Sequence, residues 1–475
     1  MRRSRVVAWV GLGVFALGVE AAGCGGDDIT VNPLDASTGS DGSFITDGSP
    51  PGDASTTTAV ATVPQTGTIS GAGLSAPVDL VRDEWGNPHI YGKTVPDVTY
   101  VQGYVTAQDR IIQLEFERHF AAGKIAELAG SLSASAVDSD IAMRMHHMES
   151  DAQKEWDTLQ AATDDVSKAC VALLNSYAAG VNAYVADLVA GKYQPPSGTL
   201  ALIYKPSAAA PWRPVDSLML GQLEAYDLAY DSDAEITSSL VDQEVAAVYG
   251  SDNLRKDLNK DLQLIAPQDS TTTITGWTGA DGTRASAPKS APNGFDPQLR
   301  DLLRKDQKVV EGLGDDHKEF PERGSNNWIV GPSLSKTGNV LVANDTHLGL
   351  TNPATFYIVH LHADDPKFPL NVMGESFPGI PGVILGMNQH AAWGATVSNI
   401  DVTDVYKDSI VPCTGVDAGP DGGIVGAPCT TYKSAPVPLT ARQEKFNIGL
   451  GGSISSTVTV TMYDDPNHGP IIPRP

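Results

Sequence analysis

The order of hydrophobic and polar residues predicts a short β segment followed by long helices. Val78–Arg82 alternates like a strand, and the turn sequence Trp85–Pro88 separates it from a second strand at His89–Tyr91. Helical periodicity then dominates and marks two helix faces, at Ile111, Leu114, Glu115 and Arg118 and at Val171, Leu174, Tyr177, Val181 and Tyr184. We expect both faces to pack into a core.

The later part of the chain predicts strands instead of helices. Short apolar runs recur at Asn327–Val330, Val340–Val342, Thr355–Leu361, Val383–Leu385 and a stretch with Val402 and Val405. Before them, residues 263–323 are rich in Ser, Thr, Gly and Pro and include a charged helical piece at Leu302–Glu311. This order indicates an exposed spacer, at which the chain can be cut, between a helical part and a β-rich part.

The N-terminal residues predict an export signal. Three arginines precede the apolar run Val6–Val19, which is shorter than the about 20 residues that a membrane-spanning helix needs. Ala21–Cys24 resembles the lipobox of bacterial lipoproteins, so we expect Cys24 to carry a lipid that anchors the protein to a membrane, with a plain secretory signal as the alternative. Residues 25–70 have the composition of a disordered tether. The expected location is the periplasm or the outer-membrane surface of a bacterium.

The other cysteines fit an exported protein. Cys413 and Cys429 enclose a loop rich in Gly, Asp and Pro, which predicts a disulfide worth roughly 3 kcal/mol. A zinc site is the weaker interpretation, because neither a CxxC pair nor paired histidines accompany these cysteines. Cys170 lies in an apolar helical pattern, and we expect its thiol to be buried.

Charge and composition argue against a nucleic-acid partner. The 475-residue chain has 57 acidic residues and 32 Lys or Arg residues, which gives a formal net charge of −25, and its basic residues form no cluster that would bind phosphates. With 41% hydrophobic and 19% charged residues, the composition is that of a globular protein. The length allows roughly two to four domains.

Five motifs follow one another in a recognisable order. They are Val81–Ile90, Gly103–Arg110 with Gln113–Glu115, Gly324–Trp328, Ala343–Leu348 and Trp393–Thr396. In this order, with the spacer directly before Gly324, they resemble the penicillin amidase family of N-terminal nucleophile hydrolases, over nearly all of residues 77–475. The resemblance implies an α+β fold, a four-layer αββα sandwich in which helices flank two antiparallel sheets. Because the family's later strands have no counterpart in this sequence, we expect the sandwich to be incomplete at the C-terminus.

The resemblance also implies that the chain cuts itself between Gly324 and Ser325. The freed α-amine of Ser325, with a reference pKa of about 7.7 to 8.0, would then act as the base for its own hydroxyl. The implied parts are a lipoprotein-type signal at 1–24, a tether at 25–70, a helical α-chain region at 71–262, a spacer propeptide at 263–324 and the start of a β-chain at 325–475. After cleavage the two chains would form an α–β heterodimer.

Two more catalytic residues follow from the resemblance. His347 stands where cephalosporin and acyl-homoserine-lactone acylases carry a histidine that orients the serine hydroxyl, whereas penicillin G acylases have glutamine there. A capping or packing histidine is the alternative. Val397 matches the residue whose backbone N–H forms half of the oxyanion hole, while the asparagine that completes the hole has no counterpart here.

Calcium is the cofactor that the resemblance implies. Several family members bind this ion between their two chains, and the matching ligands here are Glu235, Asp401, Asp404 and the carbonyl of Thr403. Oxygen ligands of this kind suit Ca²⁺ and its flexible coordination. Solvated acidic residues in an acidic protein are the alternative interpretation.

The implied activity is hydrolysis of the amide bond of an N-acylated small molecule through an acyl-serine intermediate. Penicillins, cephalosporins, acyl-homoserine lactones and acylated peptides are the candidate substrates. Ala225 and Ala229 stand near the positions of aromatic pocket residues in penicillin G acylases, which suggests room for longer acyl chains. The alternative is an inactive, truncated lipoprotein of the same family, either a non-enzymatic binding protein or a gene fragment.

Two other patterns are weaker. Ser333–Lys336 and Lys336–Gly338 match two motifs of serine β-lactamases, but they share one lysine, and the second is better interpreted as a hairpin turn. His360 and His362 lie on one face of a predicted strand, yet the sequence shows no third metal ligand beside them.

Overall fold

A computed structural model describes residues 67–198, 200–229, 324–348, 351–396, 403, 405–406, 408–413 and 428–472. In these ranges the chain forms helices and largely antiparallel sheets, so the predicted α+β class is confirmed. The predicted lipid attachment at Cys24, most of the tether, and the helical piece at Leu302–Glu311 lie outside the described residues.

The helices precede most of the strands along the chain. The helices are α1 (Val95–Ala121), α2 (Ile125–Ala129), α3 (Ser135–Met145), α4 (Met148–Ala161), α5 (Asp165–Val189), α6 (Leu200–Ile203) and α7 (Pro214–Ala229). The strands are β1 (Gly67–Ile69), β2 (Val78–Arg82), β3 (Pro88–Gly92), β4 (Gly324–Val330), β5 (Leu341–His347), β6 (Tyr357–Ala363), β7 (Leu370–Ser376), β8 (Leu385–Asn388), β9 (Ala392–Trp393), β10 (Cys429–Tyr432), β11 (Ala435–Pro438), β12 (Thr440–Leu450), β13 (Ser453–Asp465) and β14 (Gly469–Pro470).

The chain divides into two compact units, each assembled from three segments. The first unit comprises Met1–Glu117, Gln153–Leu218 and Glu322–Thr396. The second comprises Arg118–Ala152, Met219–Pro321 and Val397–Pro475.

A seven-stranded sheet of order β1-β2-β3-β6-β7-β8-β9 organises the first unit. Its neighbours are antiparallel except β3 and β6, which run parallel with His89 opposite His360. The buried residues Val78 and Leu80 of β2 and Val359 and Leu361 of β6 stand two positions apart, because alternate side chains point to opposite faces of a strand. β4 and β5 pair separately as a two-stranded antiparallel sheet.

The helices α1 and α5 pack so closely that glycine is required on both. A Cβ on Gly103 would overlap the carbonyl oxygen of Tyr177, and a Cβ on Gly180 would overlap the carbonyl oxygen of Tyr100. By length and composition α5 could cross a membrane. Its buried face, which includes Leu174 and Tyr177, identifies it as a core helix of this unit, as its periodicity predicts.

Side chains of α1 and α5 also hold the segment between β7 and β8. The Gln102 amide donates to the carbonyl of Gly382 and accepts from its N–H, both at 2.9 Å. The N–H of Gly379 donates to the buried Tyr177 hydroxyl at 3.0 Å. The two helices therefore fix the start of the path that continues through β8 and β9 to Thr396.

The second unit is centred on the hairpin of β12 and β13, in which Thr440 stands opposite Asp464. Met145 of α3 packs with Phe446 and Met462 in a buried apolar cluster. The Asp140 carboxylate accepts hydrogen bonds from the N–H groups of Ile125 at 2.7 Å and Ala126 at 2.8 Å, in the first turn of α2. Burial nevertheless raises the pKa of the Asp140 carboxyl to about 7.

The cysteine predictions have different outcomes. Cys413 and Cys429 form the predicted disulfide, with 5.1 Å between their Cα atoms, so both sulfurs are committed and the zinc interpretation is wrong. Cys170 is a free thiol on α5, as the helical pattern indicates, but it is only partly buried. The prediction of full burial is wrong because buried positions on α5 begin only at Leu174, so Cys170 continues the stripe by spacing but lies in the less covered first turns of the helix.

Two strand predictions need correction. The strand predicted at Val383–Leu385 begins only at Leu385, since the chain turns at Gly382, whose φ is +97°. Val405 is described and lies outside any strand, whereas Val402 lies outside the described residues. An apolar run alone does not distinguish a strand from the turn that leads into it.

Candidate active site

The antiparallel pairing of β4 and β5 brings Ser325 and His347 close together. Gly324 stands opposite His347, and Ser325 stands opposite Thr346. The connection between the strands contains the predicted turn, in which Gly338 has φ +74°. Glycine adopts this φ without the strain that other residues would suffer, so it suits the turn within the connection.

The Ser325 hydroxyl lies beside the peptide bond that precedes it. Its Oγ donates a hydrogen bond to the carbonyl oxygen of Gly324 at 2.7 Å. This carbonyl belongs to the Gly324–Ser325 bond, the bond that the sequence predicts to be cut. The hydroxyl is therefore within reach of the group that it would attack in an intramolecular acyl transfer.

His347 approaches the same peptide bond from β5. Its Nδ1 would lie 3.9 Å from a Cβ built on Gly324. Its Nε2 lies 3.2 Å from Asp345 Oδ2 and 3.3 Å from Asn326 Nδ2. Nε2–H donates to the carboxylate in one tautomer, and the amide donates to bare Nε2 in the other, so Nε2 has a partner in either tautomer.

A third segment, Trp393–Thr396, lies against these two strands. The Thr396 hydroxyl donates to the carbonyl oxygen of Ser325 at 2.9 Å. The side-chain amide of Asn344 accepts from the N–H of Ala395 at 3.0 Å and donates to the carbonyl of the same residue at 2.9 Å. Val397, the predicted oxyanion donor, follows Thr396 in the sequence and lies outside the described residues.

The predicted calcium ligands are not described as a set. Thr403 is among the described residues, whereas Glu235, Asp401 and Asp404 lie outside them. The structure therefore leaves the calcium site as a prediction.

The described part of the second unit contains a different group of possible metal ligands. Ligand atoms of Asp408, Asp465 and His468 lie within 4.8 Å of one another. His468 Nδ1 is 2.9 Å from Asp408 Oδ1, and the Asp465 carboxylate accepts from the Thr430 hydroxyl and from the N–H of Asn467. Sequence reasoning missed this group because no ligand-spacing motif joins Asp408 to the other two residues.

The two histidines of β6, His360 and His362, form contacts with neighbouring side chains. His360 Nδ1 lies 3.1 Å from His89 Nδ1 on the neighbouring strand, and His360 Nε2 lies 2.8 Å from Asn371 Oδ1. Burial, and then the nearby His89 and His362, lower the pKa of His360. His362 Nε2 pairs instead with Asp364 at 3.0 Å. These contacts bond His360 and His362 to different partners.

The two alanines proposed for the acyl pocket lie on α7. Ala225 and Ala229 are both exposed on this helix. The expectation that they widen an acyl pocket stays a prediction.

Comparisons with known proteins agree with these motifs. The penicillin amidase family model matches residues 77–475. Penicillin acylase 2 proenzyme of Pseudomonas sp. (strain SE83) is 30% identical over 352 residues, which are 73% of this chain and 39% of that protein. Acyl-homoserine lactone acylase QuiP of Pseudomonas aeruginosa is 29% identical over 346 residues, 71% of this chain and 35% of its own length.

Two penicillin G acylases are also similar. The Escherichia coli enzyme is 25% identical over 362 residues, which are 71% of this chain and 40% of that protein. A solved structure of the thermostable penicillin G acylase from Alcaligenes faecalis aligns with 42% of this chain and 96% of its own, at a TM-score of 0.35 and 23% identity. The matched part thus spans well under half of the curated relatives' length. The family model covers most of this sequence, and the chain therefore belongs to the penicillin amidase family.

Proposed function

We propose that this chain is the precursor of an acylase that cuts itself between Gly324 and Ser325 and then hydrolyses N-acyl amides. One observation carries the proposal: the Ser325 hydroxyl lies 2.7 Å from the carbonyl oxygen of Gly324, at the start of β4. Family membership supports the same reaction class, since the relatives are penicillin and acyl-homoserine lactone acylases.

In this proposal, self-cleavage takes place in two chemical steps. Ser325 Oγ attacks the carbonyl carbon of Gly324, the C–N bond breaks, and the proton from the hydroxyl passes to the departing α-amine. The product is an ester between Gly324 and Ser325. Water then hydrolyses this ester, which leaves a carboxylate on Gly324 and a serine with a free α-amine at the new N-terminus.

The new terminus supplies both the nucleophile and its base. An α-amine has an ordinary pKa of about 7.7 to 8.0, so part of it is neutral near neutral pH and can accept the hydroxyl proton. Ser325 attacks the carbonyl of the substrate amide, the amine leaves with a proton, and an acyl-serine forms. Water then releases the carboxylic acid and restores the hydroxyl.

His347 and Val397 assist this chemistry in the proposal. The position of His347 opposite Gly324 suits it to orient the Ser325 hydroxyl and to help move its proton. The backbone N–H of Val397 is proposed to stabilise the oxyanion, because a preorganised donor there contributes about 10²- to 10³-fold in rate.

The substrate class is an amide that carries an apolar acyl group. Penicillins, cephalosporins, acyl-homoserine lactones and acylated peptides share this bond. In the same proposal, the mature enzyme is an exported α–β heterodimer with a lipid on Cys24 and structural Ca²⁺ held by Glu235, Asp401, Thr403 and Asp404. The Cys413–Cys429 disulfide supports export, because disulfides persist in oxidising compartments.

The experiment uses the full chain purified from the exported fraction. Phenylacetyl and octanoyl amides of p-nitroaniline and of homoserine lactone are incubated with the protein, and the released amine is measured. We expect wild type to hydrolyse at least one of them, Ser325→Ala to hydrolyse none, and Ser333→Ala, a change at an exposed serine between β4 and β5, to behave like wild type. An inert wild-type chain would instead identify a non-enzymatic member of the family.

A further inference from the structure

Hydrogen bonds between strands hold only a small part of the segment that ends at Thr396. β9 consists of Ala392 and Trp393, and among the described strands it pairs only with β8. The Trp393 indole N–H donates to the carbonyl of Ile384 at 2.8 Å. Beyond this point, the described contacts of Ala395 and Thr396 with β4 and β5 are made by side chains.

Asn344 takes the place of a neighbouring strand for Ala395. A strand residue offers one acceptor and one donor to its neighbour, and the Asn344 amide offers the same pair to the Ala395 N–H and carbonyl, at 3.0 and 2.9 Å. The same Nδ2 also donates to the carbonyl of Asn326 at 3.3 Å. One half-buried side chain thus connects Ala395 to the residue that follows Ser325.

The packing around this amide leaves no room for a side chain at Gly394. A Cβ there would lie 2.5 Å from Asn344 Oδ1 and 2.8 Å from Asn327 Nδ2. Glycine at position 394 therefore permits the close approach that the two hydrogen bonds to Ala395 require.

Thr396 makes the second connection. Its hydroxyl donates to the Ser325 carbonyl at 2.9 Å, directly on the nucleophile residue. Asn344 and Thr396 therefore act on successive residues, and both anchor the segment to the region around Ser325. We call this pair the Asn344–Thr396 clamp.

We propose that Asn344 is a positioning residue, which holds the Ala395–Thr396 segment, and through it Ser325, in the arrangement that catalysis needs. This inference rests on the proposed function, in which Ser325 becomes the N-terminal nucleophile. A misplacement of about 1 Å costs about 10²-fold in rate, so the clamp matters without touching the substrate.

The test compares variants of the full chain. Asn344→Asp keeps the shape and the acceptor for the Ala395 N–H but loses both donated bonds, and Asn344→Ala loses all three. Thr396→Val removes the hydroxyl, and Thr396→Ser restores it. Asn339→Ala is the matched control, because Asn339 is an exposed asparagine in the connection between the same two strands.

Three quantities are measured for each variant: self-cleavage by intact mass, kcat and KM on the amide that wild type hydrolyses, and affinity for a boronic acid carrying the same acyl group. The boronate forms a tetrahedral adduct with the serine hydroxyl, so its affinity reports on how that hydroxyl is placed. Asn344→Asp, Asn344→Ala and Thr396→Val should lower kcat and boronate affinity by about 10²-fold, with little change in KM. Thr396→Ser and Asn339→Ala should match wild type.

Each contrary result of these experiments leads to a different conclusion. A wild-type chain that neither cleaves itself nor hydrolyses an amide overturns the proposed function. A wild-type chain that does both, together with an Asn344→Asp variant that keeps full kcat and boronate affinity, overturns only the role of Asn344. A variant that loses activity together with its cooperative thermal unfolding assigns Asn344 a purely structural role, and this too overturns the inference.

Discussion

Gly324 and His347 face each other across the antiparallel pair of β4 and β5. An imidazole thereby stands opposite Gly324, whose carbonyl accepts a hydrogen bond from the Ser325 hydroxyl at 2.7 Å. The register of the hairpin, whose connection spans residues 331–340, sets this arrangement. The same register would hold the histidine near the new N-terminus after cleavage.

The first prediction concerns His347. His347→Ala should slow self-cleavage by about 10²-fold, because no imidazole would remain to move a proton at the Gly324–Ser325 bond. His347→Gln should lose less, since its amide keeps a donor and an acceptor there. The measurement is the time course of cleavage by intact mass, with Asn339→Ala as the control.

Asn339 suits the control because it is exposed in the connection between β4 and β5. The Asp345 and His347 side chains are 68% and 46% exposed, so their contact contributes little to stability and His347→Ala should still fold. A His347→Ala variant that cleaves as fast as wild type would contradict a role in proton transfer.

The second prediction concerns the crossing of α1 and α5. Gly103→Ala and Gly180→Ala should each lower the free energy of unfolding by about 3 kcal/mol or more, since each new Cβ overlaps a backbone carbonyl. Gly331→Ala is the control, because a Cβ at that position meets no atom within 4 Å. Urea unfolding measures the free energy of unfolding of all three variants. If Gly103→Ala and Gly180→Ala are as stable as Gly331→Ala, the close packing of α1 and α5 is refuted.

The third prediction is a pH dependence caused by Asp140. Burial raises its pKa from the ordinary 3.8 to about 7, so between these values the folded state holds a proton that the unfolded state releases. The free energy of unfolding should therefore fall as pH rises through this window, and the stability gained from the raised pKa is present only below it.

Urea midpoints at about pH 4.5 and about pH 7.5 measure this effect. Asp140→Asn does not titrate, so its midpoints should differ less between the two pH values than those of wild type. Identical pH dependence in the two proteins would show that Asp140 has an ordinary pKa in the folded state.

The fourth prediction concerns the Cys413–Cys429 disulfide. Replacing both cysteines by serine should lower the free energy of unfolding by about 3 kcal/mol, because the unfolded chain regains the entropy of the open loop. Cys170→Ser, a change at a partly buried thiol outside the disulfide, is the comparison. Unchanged stability of the double variant would mean that the loop is ordered independently of the bond.

Periodicity predicted the elements that have one buried face. The stripe from Leu174 to Tyr184 indicates α5, and the alternation in Val78–Arg82 indicates β2, because burial on one side imposes a period on the sequence. The hairpin of β12 and β13 was missed. Its residues Ser453–Val458 are exposed, so Ser and Thr occur where a buried face would place apolar residues.

The sequence motifs predicted that Ser325 and His347 lie close together, but they did not predict the contacts that position them. Ser325 and His347 were identified from the motifs that contain them, and the register of a hairpin brings them together. The bond between Asn344 and Ala395 joins residues 51 positions apart through a side chain and a backbone group. A contact of this kind leaves no periodic signal, so only the structure reveals the Asn344–Thr396 clamp.

The most direct test of self-cleavage is the intact mass of the exported chain, combined with N-terminal sequencing of each fragment. The account predicts a break after Gly324, a fragment that begins Ser325-Asn326-Asn327, and a single uncut chain for Ser325→Ala. An uncut wild-type chain that still hydrolyses amides, or cutting of the same bond in Ser325→Ala, would contradict it.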